Sequence, residues 1–231
     1  MHKSIRPGLY LLITLTTLLL SRIPLAQGGS VPHLYLADGA WDSEDCRLIR
    51  MDDLTGKGWT TFGSKGKADK QFGSVTGVAV DSKGRIYGVD QENSRILRID
   101  DMSGKGLLAF GKPGKARGQF NYPCGICIDA QDHIYITDTS AEMGPKANRV
   151  IRMDDMTGKN WTTFGTEGKG TNRFRMPGDI AFDRQGRIYI CEHINHRIVG
   201  IDDITGKNRT TFAPPARSRH QFFSLSGLCI H

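Results

Sequence analysis

The chain has 231 residues, which is enough for one hydrophobic core. Its formal net charge of +7 falls to +4 when the three cations of an N-terminal leader are left out, so the placement of the basic residues matters more than their total. Five cysteines are an odd number, which excludes a framework in which every thiol is paired within one chain.

The N-terminus has the pattern of a secretory signal peptide. Lys3 and Arg6 precede an apolar run over residues 9–20, and Pro24-Leu-Ala follows the run. The run is too short to span a bilayer comfortably, since a transmembrane helix takes roughly 20 residues. We therefore expect a signal peptide over residues 1–26, a mature chain without a transmembrane segment, and a secreted or periplasmic protein. The alternative is a run that is retained as an uncleaved anchor.

One eleven-residue segment occurs four times along the chain. Arg95-Ile-Leu-Arg-Ile-Asp-Asp-Met-Ser-Gly-Lys recurs in closely similar form from Arg149 and from Arg197, and a first copy begins at Arg47. The copies begin 48, 54 and 48 residues apart. An internal repeat of this length determines the fold class before any single residue does.

Each repeat predicts four short strands. In the third unit these are Gly125-Ile-Cys-Ile, Ile134-Tyr-Ile-Thr, the segment from Arg149, and Trp161-Thr-Thr-Phe. The runs are short, rich in Ile, Val, Tyr and Thr, and bounded by turn residues, which favours strands over helices. No window after residue 30 has a helical pattern. Four-stranded units in tandem are typical of an all-β protein, the β-propeller, in which each sheet is one blade.

These segments resemble the NHL repeat. The shared elements are Gly-Val-Ala-Val-Asp81, then Gly-Arg-Ile-Tyr, then Asn195-His-Arg-Ile, then Thr-Phe-Gly and a loop rich in Gly and Lys. The resemblance covers about residues 32–231. It implies a propeller, more often of six blades in this family, and it implies no particular activity, because a propeller is a scaffold whose function lies in its sites.

The two ends of the repeat region predict how the ring closes. The first unit begins at its second strand, and residues 222–231 match the first strand of a further unit. We predict four blades: a composite one from about residues 32–73 and 222–231, and whole ones at about 74–120, 121–174 and 175–221. The C-terminal strand would remove the free edge of the N-terminal sheet. The alternative is part of a six-bladed ring. If one chain forms a four-bladed ring, we expect a monomer; an assembly of two chains is the alternative.

The cysteines predict core positions more than chemistry. Cys127 and Cys229 align with alanines of other units, which indicates small core residues. Cys124 and Cys127 form a single CxxC on a predicted strand, and no second pair follows. A zinc or redox site is therefore the less favoured interpretation, and we predict no cofactor.

Residues that differ between units are the best candidates for a site, because residues shared by every unit are explained by the blade itself. The acids Asp38, Asp90, Asp138 and Glu192 end the second strand of every unit. We expect them to bond loop amides or the arginine that follows. A ring of carboxylates around a metal is the alternative.

Irregular loops predict a binding surface. Trp41 lies in a long loop of the first unit, and the third unit has a long loop over residues 139–147. Both would lie on the face that carries the crossovers between blades, which we name the loop face. An aromatic side chain in a polar loop favours a contact with a partner, and packing of Trp41 over its own blade is the alternative.

The crossovers bring positive charge to the loop face. Besides Trp41, the predicted binding residues are the cations Lys65, Lys67, Lys112, Lys115, Arg117, Lys169, Arg173, Arg175, Arg217 and Arg219. Such a ring would attract an acidic polymer or an acidic protein surface, and export argues against a specific nucleic acid. We predict a non-catalytic binding or scaffold module. Solvated loops without a ligand are the simplest alternative.

The fourth unit suggests a catalytic alternative. The candidate metal ligands are Asp179, Glu192, His193, His196 and His220. A carboxylate with neutral imidazoles can hold a divalent metal, as in propeller lactonases and the NHL-like amidating lyase, which would make the chain a metal-dependent hydrolase or lyase. However, His196 belongs to the repeat, and the other units have no matching histidines. We therefore predict no metal site and no catalytic residue.

Overall fold

The computed structural model of the chain describes residues 33–39, 43–140, 147–214, 222, 227, 228 and 230. All the regular structure in these ranges is β-strand, as expected from the short apolar runs. None of the described residues belongs to a helix with the length and apolarity needed to cross a membrane. The predicted signal peptide lies outside the described residues, and so do Trp41, Arg217, Arg219 and His220.

Antiparallel sheets follow one another along the described chain, each formed by strands that are consecutive in sequence. The first has three strands: β1 (Leu34–Asp38), β2 (Arg47–Met51) and β3 (Thr60–Phe62). The second has four: β6 (Val75–Val80), β7 (Ile86–Asp90), β8 (Arg95–Ile99) and β9 (Leu108–Phe110). The third comprises β10 (Tyr122–Ile128), β11 (Ile134–Thr139), β12 (Arg149–Met153) and β13 (Thr162–Phe164). The fourth comprises β16 (Pro177–Phe182), β17 (Ile188–Glu192), β18 (Arg197–Ile201) and β19 (Thr210–Phe212). We number these sheets blades one to four.

The crossovers between blades contain short parallel pairs. Strands β4 (Ser64–Lys65) and β5 (Gln71–Phe72) pair after blade one, and β14 (Thr166–Glu167) and β15 (Arg173–Phe174) pair after blade three. The crossover after blade two has a single parallel bridge between Pro113 and Phe120 in the same place. These three crossovers therefore have the same backbone pairing.

Hydrophobic clusters fill the spaces between adjacent blades. Each contains the fully buried phenylalanine at the end of a crossover, which is Phe72, Phe120 or Phe174. Its ring meets the edge of the phenylalanine that ends the preceding blade, as Phe164 does with Phe174 at 5.7 Å between ring centroids. Adjacent blades are thus joined mainly by buried apolar surface.

The inner strands lie side by side. Thr76 of β6 donates to the carbonyl of Cys124 in β10 at 3.0 Å, and an added Cβ at Gly125 would overlap the backbone of β16. Beyond blade four, the amide of Leu228 donates to Asp179 of β16 at 2.7 Å. Among the described residues, no strand pairs with the free edge of β1. Completion of blade one by residues 222–231 therefore stays a prediction.

Candidate binding face

Crossovers and second-to-third-strand turns meet on the loop face. The Asn93 side chain, in the turn after β7, donates to the carbonyl of Gly66 at 2.9 Å. Asn195 does the same to Gly168 at 3.1 Å. The first and third crossovers therefore fold over the turn of the adjoining blade, and their cations are carried on this face.

The acids at the ends of the second strands are paired with arginines, as the repeat predicts. Asp90, Asp138 and Glu192 are completely buried. The ion pairs are Arg95–Asp90 at 2.8 Å, Arg149–Asp138 at 3.0 Å and Arg197–Glu192. Each acid also accepts a backbone amide at the end of a crossover: that of Gly73, of Asn121 and of Arg175, respectively. These contacts take up the lone pairs that a metal would need.

The same arginines anchor the crossovers. Arg149 donates to the carbonyl of Lys115 at 2.6 Å and to that of Gln119 at 2.8 Å. Arg197 donates to the carbonyls of Lys169 at 3.0 Å and Arg173 at 2.6 Å. The buried acid fixes the arginine, and the arginine fixes the backbone of the exposed cations.

The predicted cations differ in their surroundings. Lys67, Lys112, Lys115, Lys169 and Arg173 are exposed and form no ion pair with a described residue.

Three predicted cations have local partners instead. Lys65 pairs with Glu92 at 3.4 Å, and Arg175 with Glu167 at 3.5 Å. Arg117 donates to the carbonyl of Gly158 at 3.0 Å, which places it at the outermost hairpin of blade three. Lys65 and Arg175 therefore contribute less to the free positive charge of the face, whereas Arg117, whose partner is a neutral carbonyl, keeps its charge.

The histidine candidate His196 occupies a structural position of the blade. The residue before each repeat arginine reaches the end of the next crossover: Cys46 Sγ lies 3.4 Å from the Gly73 carbonyl, and Asn148 accepts the amide of Met176 at 2.8 Å. His196 is the equivalent residue in blade four and also has a positive φ, +49° against +41° for Asn148. Its Nδ1 is buried and has no partner among the described residues.

The remaining metal candidates are also engaged in backbone contacts. Asp179 is buried and accepts the amides of Ile180 at 2.9 Å and Leu228 at 2.7 Å. Burial raises the pKa of this carboxyl, while the two amides oppose the shift. The amide of His193 donates to the Met176 carbonyl at 3.0 Å. In the described part of the chain, no three His, Cys, Asp or Glu side chains form a group that could hold a metal ion.

The described cysteines are free thiols, of which Cys46 and Cys191 are buried and Cys124 and Cys127 are partly exposed. Burial, with a further contribution from the Asp179 carboxylate, raises the pKa of Cys124 and of Cys191 to about 12. Burial raises the pKa of Cys127 well above its usual value for the same reasons. Because the thiolate is the nucleophile and the metal ligand, the CxxC of the third unit is not poised for either role.

The opposite face has a polar groove that the sequence analysis did not find. It has a volume of about 280 Å³, lies between blades two and three, and is lined by Lys83, Arg98, Asp132 and Asp155 among others. Asp132 bonds the amide and hydroxyl of Ser82 in the neighbouring blade at 2.9 and 2.8 Å. The sequence contained a signal for this groove, because Asp132 replaces the turn glycines Gly84 and Gly186 of the neighbouring units. In the structure Asp132 keeps the positive φ of that turn, at +65°.

The comparisons with known proteins agree with this architecture. The model of the NHL repeat family matches residues 174–201, which run from the end of a crossover through β18. This chain carries an NHL repeat. The predicted resemblance to the NHL-repeat propellers is therefore confirmed. No curated protein sequence matches the chain.

Solved structures with low sequence identity share the fold. A streptogramin B lyase structure is 16% identical with a TM-score of 0.54, and the match covers 80% of this chain and 52% of that one. A virginiamycin B lyase from Staphylococcus aureus, in a catalytically inactive form with quinupristin, is 18% identical with a TM-score of 0.54, covering 82% and 54%. A nidogen/laminin complex is 19% identical with a TM-score of 0.57, covering 78% and 59%.

These likenesses confirm the propeller fold of the NHL-repeat chain and leave its number of blades open. The chain spans about half the length of the solved structures that it matches. At these identities the similarity concerns the fold alone, since unrelated functions share one scaffold.

Proposed function

We propose that the NHL-repeat chain is an exported, non-catalytic binding module whose loop face takes an acidic protein surface or an acidic polymer. The observation that carries the proposal is the charge of the second and third crossovers. Lys112, Lys115, Lys169 and Arg173 are exposed there without an ion-pair partner among the described residues. The described residues of these two loops include one carboxylate, Glu167, which pairs with Arg175. A positive potential therefore remains to attract anions.

The rigidity of the crossovers supports a binding role. The backbone carbonyls of Lys115, Lys169 and Arg173 accept hydrogen bonds from the buried arginines. Cations on a fixed backbone lose less conformational entropy when they bind than cations on a mobile loop do. The first crossover is the weaker part of the surface, because exposed Asp69 lies beside its lysines.

The N-terminal sequence supports the exported location. The basic start, the apolar run and the small residue at position 26 form the pattern of a secretory signal peptide. An exported module would meet acidic polymers and acidic protein surfaces outside the cytoplasm, where thiols are often oxidised. Cys46 and Cys191 are buried free thiols whose pKa values are raised by burial, which is compatible with that environment.

The proposal is tested by reversing charge on one face at a time. In a first variant, Lys112, Lys115, Lys169 and Arg173 become Glu. In the matched control, Lys57, Lys105, Lys159 and Lys207 become Glu; these lysines are also exposed and lie in the hairpins between the third and fourth strands. Binding of fluorescent poly-glutamate is measured by anisotropy across a series of NaCl concentrations.

We expect the loop-face variant to lose affinity by roughly tenfold or more, because exposed ion pairs contribute up to about 1 kcal/mol each. The control should bind within about twofold of the parent, since the two variants have the same net charge and differ only in its placement. Equal losses in both variants, or affinity that does not change with salt, would refute a loop-face site.

A further inference from the structure

One position of the repeat covers the aromatic rings of the preceding blade at the outer rim. This rim position is the residue directly before each outermost strand, and in blades one to four it is Trp59, Leu107, Trp161 and Arg209. Trp161 packs on Phe110 and Phe120 of blade two, at 6.2 and 5.5 Å between ring centroids. Leu107 packs against the buried cluster between blades one and two. An apolar side chain therefore suits the rim position.

Blade four has a charged side chain at the rim position. Arg209 directly precedes Thr210, which pairs with Gly200 of β18. Because side chains alternate along a strand, Arg209 lies on the same face as Ile201, the residue after Gly200. Ile201 belongs to the buried cluster that fills the space between blades three and four. The side chain of Arg209 therefore lies at the junction of these two blades.

The donors on one edge of the Arg209 guanidinium have no partner. Its Nε and Nη2 are buried and form no hydrogen bond with a described residue. Nearby acids of blade four are taken by other arginines, since Glu192 pairs with Arg197 and Asp202 pairs with Arg187. Nε and Nη2 belong to the edge of the planar group that donates two parallel hydrogen bonds to a carboxylate or a phosphate.

The charge beside Arg209 is also positive. In blade three the guanidinium of Arg149 lies 5.9 Å from the centre of the Trp161 ring, so the repeat arginine faces the rim position. Arg197 is the equivalent arginine of blade four. Burial lowers the pKa of Arg209 and the charge of Arg197 lowers it further, whereas Glu192 opposes the shift. One carboxylate thus faces two guanidinium groups, which leaves one positive charge without a counter-charge.

We propose that Arg209 is the centre of an oxyanion-binding site, at which a carboxylate or phosphate group accepts the paired Nε and Nη2 donors. A charge withdrawn from water without a partner is costly to the folded state, and a bound anion would offset that cost. Arg209 as a whole is only partly buried, which leaves its side chain within reach of a small anion from solvent.

The surroundings favour the entry of an anion. Arg197 donates to the carbonyls of Lys169 and Arg173, whose exposed side chains lie on the adjoining crossover. These cations add to the positive potential around Arg209. The site is distinct from the loop-face surface, because it uses the unpaired donors of one guanidinium and not a set of exposed cations.

The repeat itself supplies the variants for a test. Arg209→Trp gives the rim position the residue of blade three, and Arg209→Leu gives it the residue of blade two. Both should fold, because the same position holds these side chains in other blades. The matched control is Arg184→Leu, which removes an exposed arginine of blade four and so changes the net charge equally.

Thermal unfolding of the full chain is followed by circular dichroism in sodium phosphate, sodium acetate and sodium chloride at equal ionic strength. Phosphate stabilises folded proteins even without a site, so the difference between parent and variant is the measured quantity. At about 100 mM phosphate, we expect the Tm of the parent and of Arg184→Leu to rise by roughly 2–5 °C more than that of either Arg209 variant. Acetate tests a carboxylate source in the same way, and the anion with the larger difference is the preferred ligand group.

Phosphorus NMR checks the binding without unfolding the protein. The phosphate line should broaden with the parent and with Arg184→Leu, and broaden much less with the two Arg209 variants. Equal responses of the parent and both Arg209 variants in phosphate and in acetate would overturn the proposal, and so would loss of the response in Arg184→Leu. The loop-face lysines are unchanged in all these proteins, so this site and the loop-face proposal fail independently.

Discussion

The acid that ends each second strand combines three tasks in one side chain. It neutralises the arginine of the repeat, accepts an amide from the end of a crossover, and so holds the loop face in place. The environment differs between blades, because Asp138 is fully buried whereas Asp38 and its partner Arg47 are each about a third exposed. The same pair should therefore differ in its contribution to stability.

Asp138→Ala should destabilise the protein by about 3–5 kcal/mol, because Arg149 would be left buried without a counter-charge. Asp38→Ala should cost about 1 kcal/mol or less, because water screens the exposed pair. Urea denaturation monitored by tryptophan fluorescence gives both values. Similar losses for the two variants would show that burial does not set the contribution of this pair.

The structural role of these acids could be predicted from the sequence, and so could that of His196. The acids recur in every unit, and a residue that every blade contains is explained by the blade. His196 lies within the repeat motif, although the equivalent residues of the other units are Cys46, Ser94 and Asn148. Which of the individual cations have an ion-pair partner could not be predicted. Lys65 and Lys112 have equivalent charge in the sequence, yet Lys65 has Glu92 within 3.4 Å and Lys112 is exposed without such a partner.

The crossover is the element that links the fold to the binding face. Its glycines allow a tight path around a buried phenylalanine, and most of its cations are exposed. Gly165 has φ +94°, and an added Cβ would overlap the ring of Phe174. Gly84, in a hairpin turn, has a comparable φ of +78° with nothing within 4 Å. A substitution at Gly84 therefore tests backbone strain alone, whereas a substitution at Gly165 tests strain together with steric overlap.

Gly84→Ala should cost about 1–2 kcal/mol, because an L-residue is strained at positive φ. Gly165→Ala should cost a further 1–3 kcal/mol or so, because the new methyl group overpacks the Phe174 ring. Thermal unfolding followed by circular dichroism measures the difference. If Gly165→Ala were no worse than Gly84→Ala, the crossover would be looser than its contacts indicate.

The strands of the blades were predictable, because short apolar runs between turn residues have a clear period. The parallel pairs β4–β5 and β14–β15 were not, since their residues read only as a loop rich in Gly and Lys. Those pairs form because the buried phenylalanine at the end of each crossover draws the loop back across the blade. Their cause is tertiary packing and not local propensity.

Beyond blade four, one hydrogen bond joins Leu228 to the first strand of that blade. Asp179 replaces the glycine of the other inner strands, and its carboxylate accepts the amide of Leu228. Because burial raises the pKa of Asp179 above its ordinary value of 3.8, the charged form is disfavoured in the folded state. The bond to Leu228 is one of the contacts that offset this cost.

Removal of residues 222–231 should therefore destabilise the parent by about 1–3 kcal/mol more than the same removal destabilises an Asp179→Gly variant. This difference should be small near pH 4, where the Asp179 carboxyl is largely protonated. It should grow as pH rises, because without the Leu228 amide the charged carboxylate destabilises the folded state more. Urea denaturation of the four proteins at several pH values measures it. A difference that shrinks with rising pH would contradict the role of the carboxylate.

By itself, the sequence determined the repeat, the strands, the propeller fold and the acids that brace each blade, because each of these recurs with a regular spacing. Only the tertiary structure decided which loop-face cations are unpaired and which rim residues are uncovered. Trp59 and Trp161 are equivalent in sequence, yet one is exposed and the other packs on two phenylalanines. The reason is physical: exposure depends on the neighbouring blade, and the repeat unit does not show which of its copies has a neighbour.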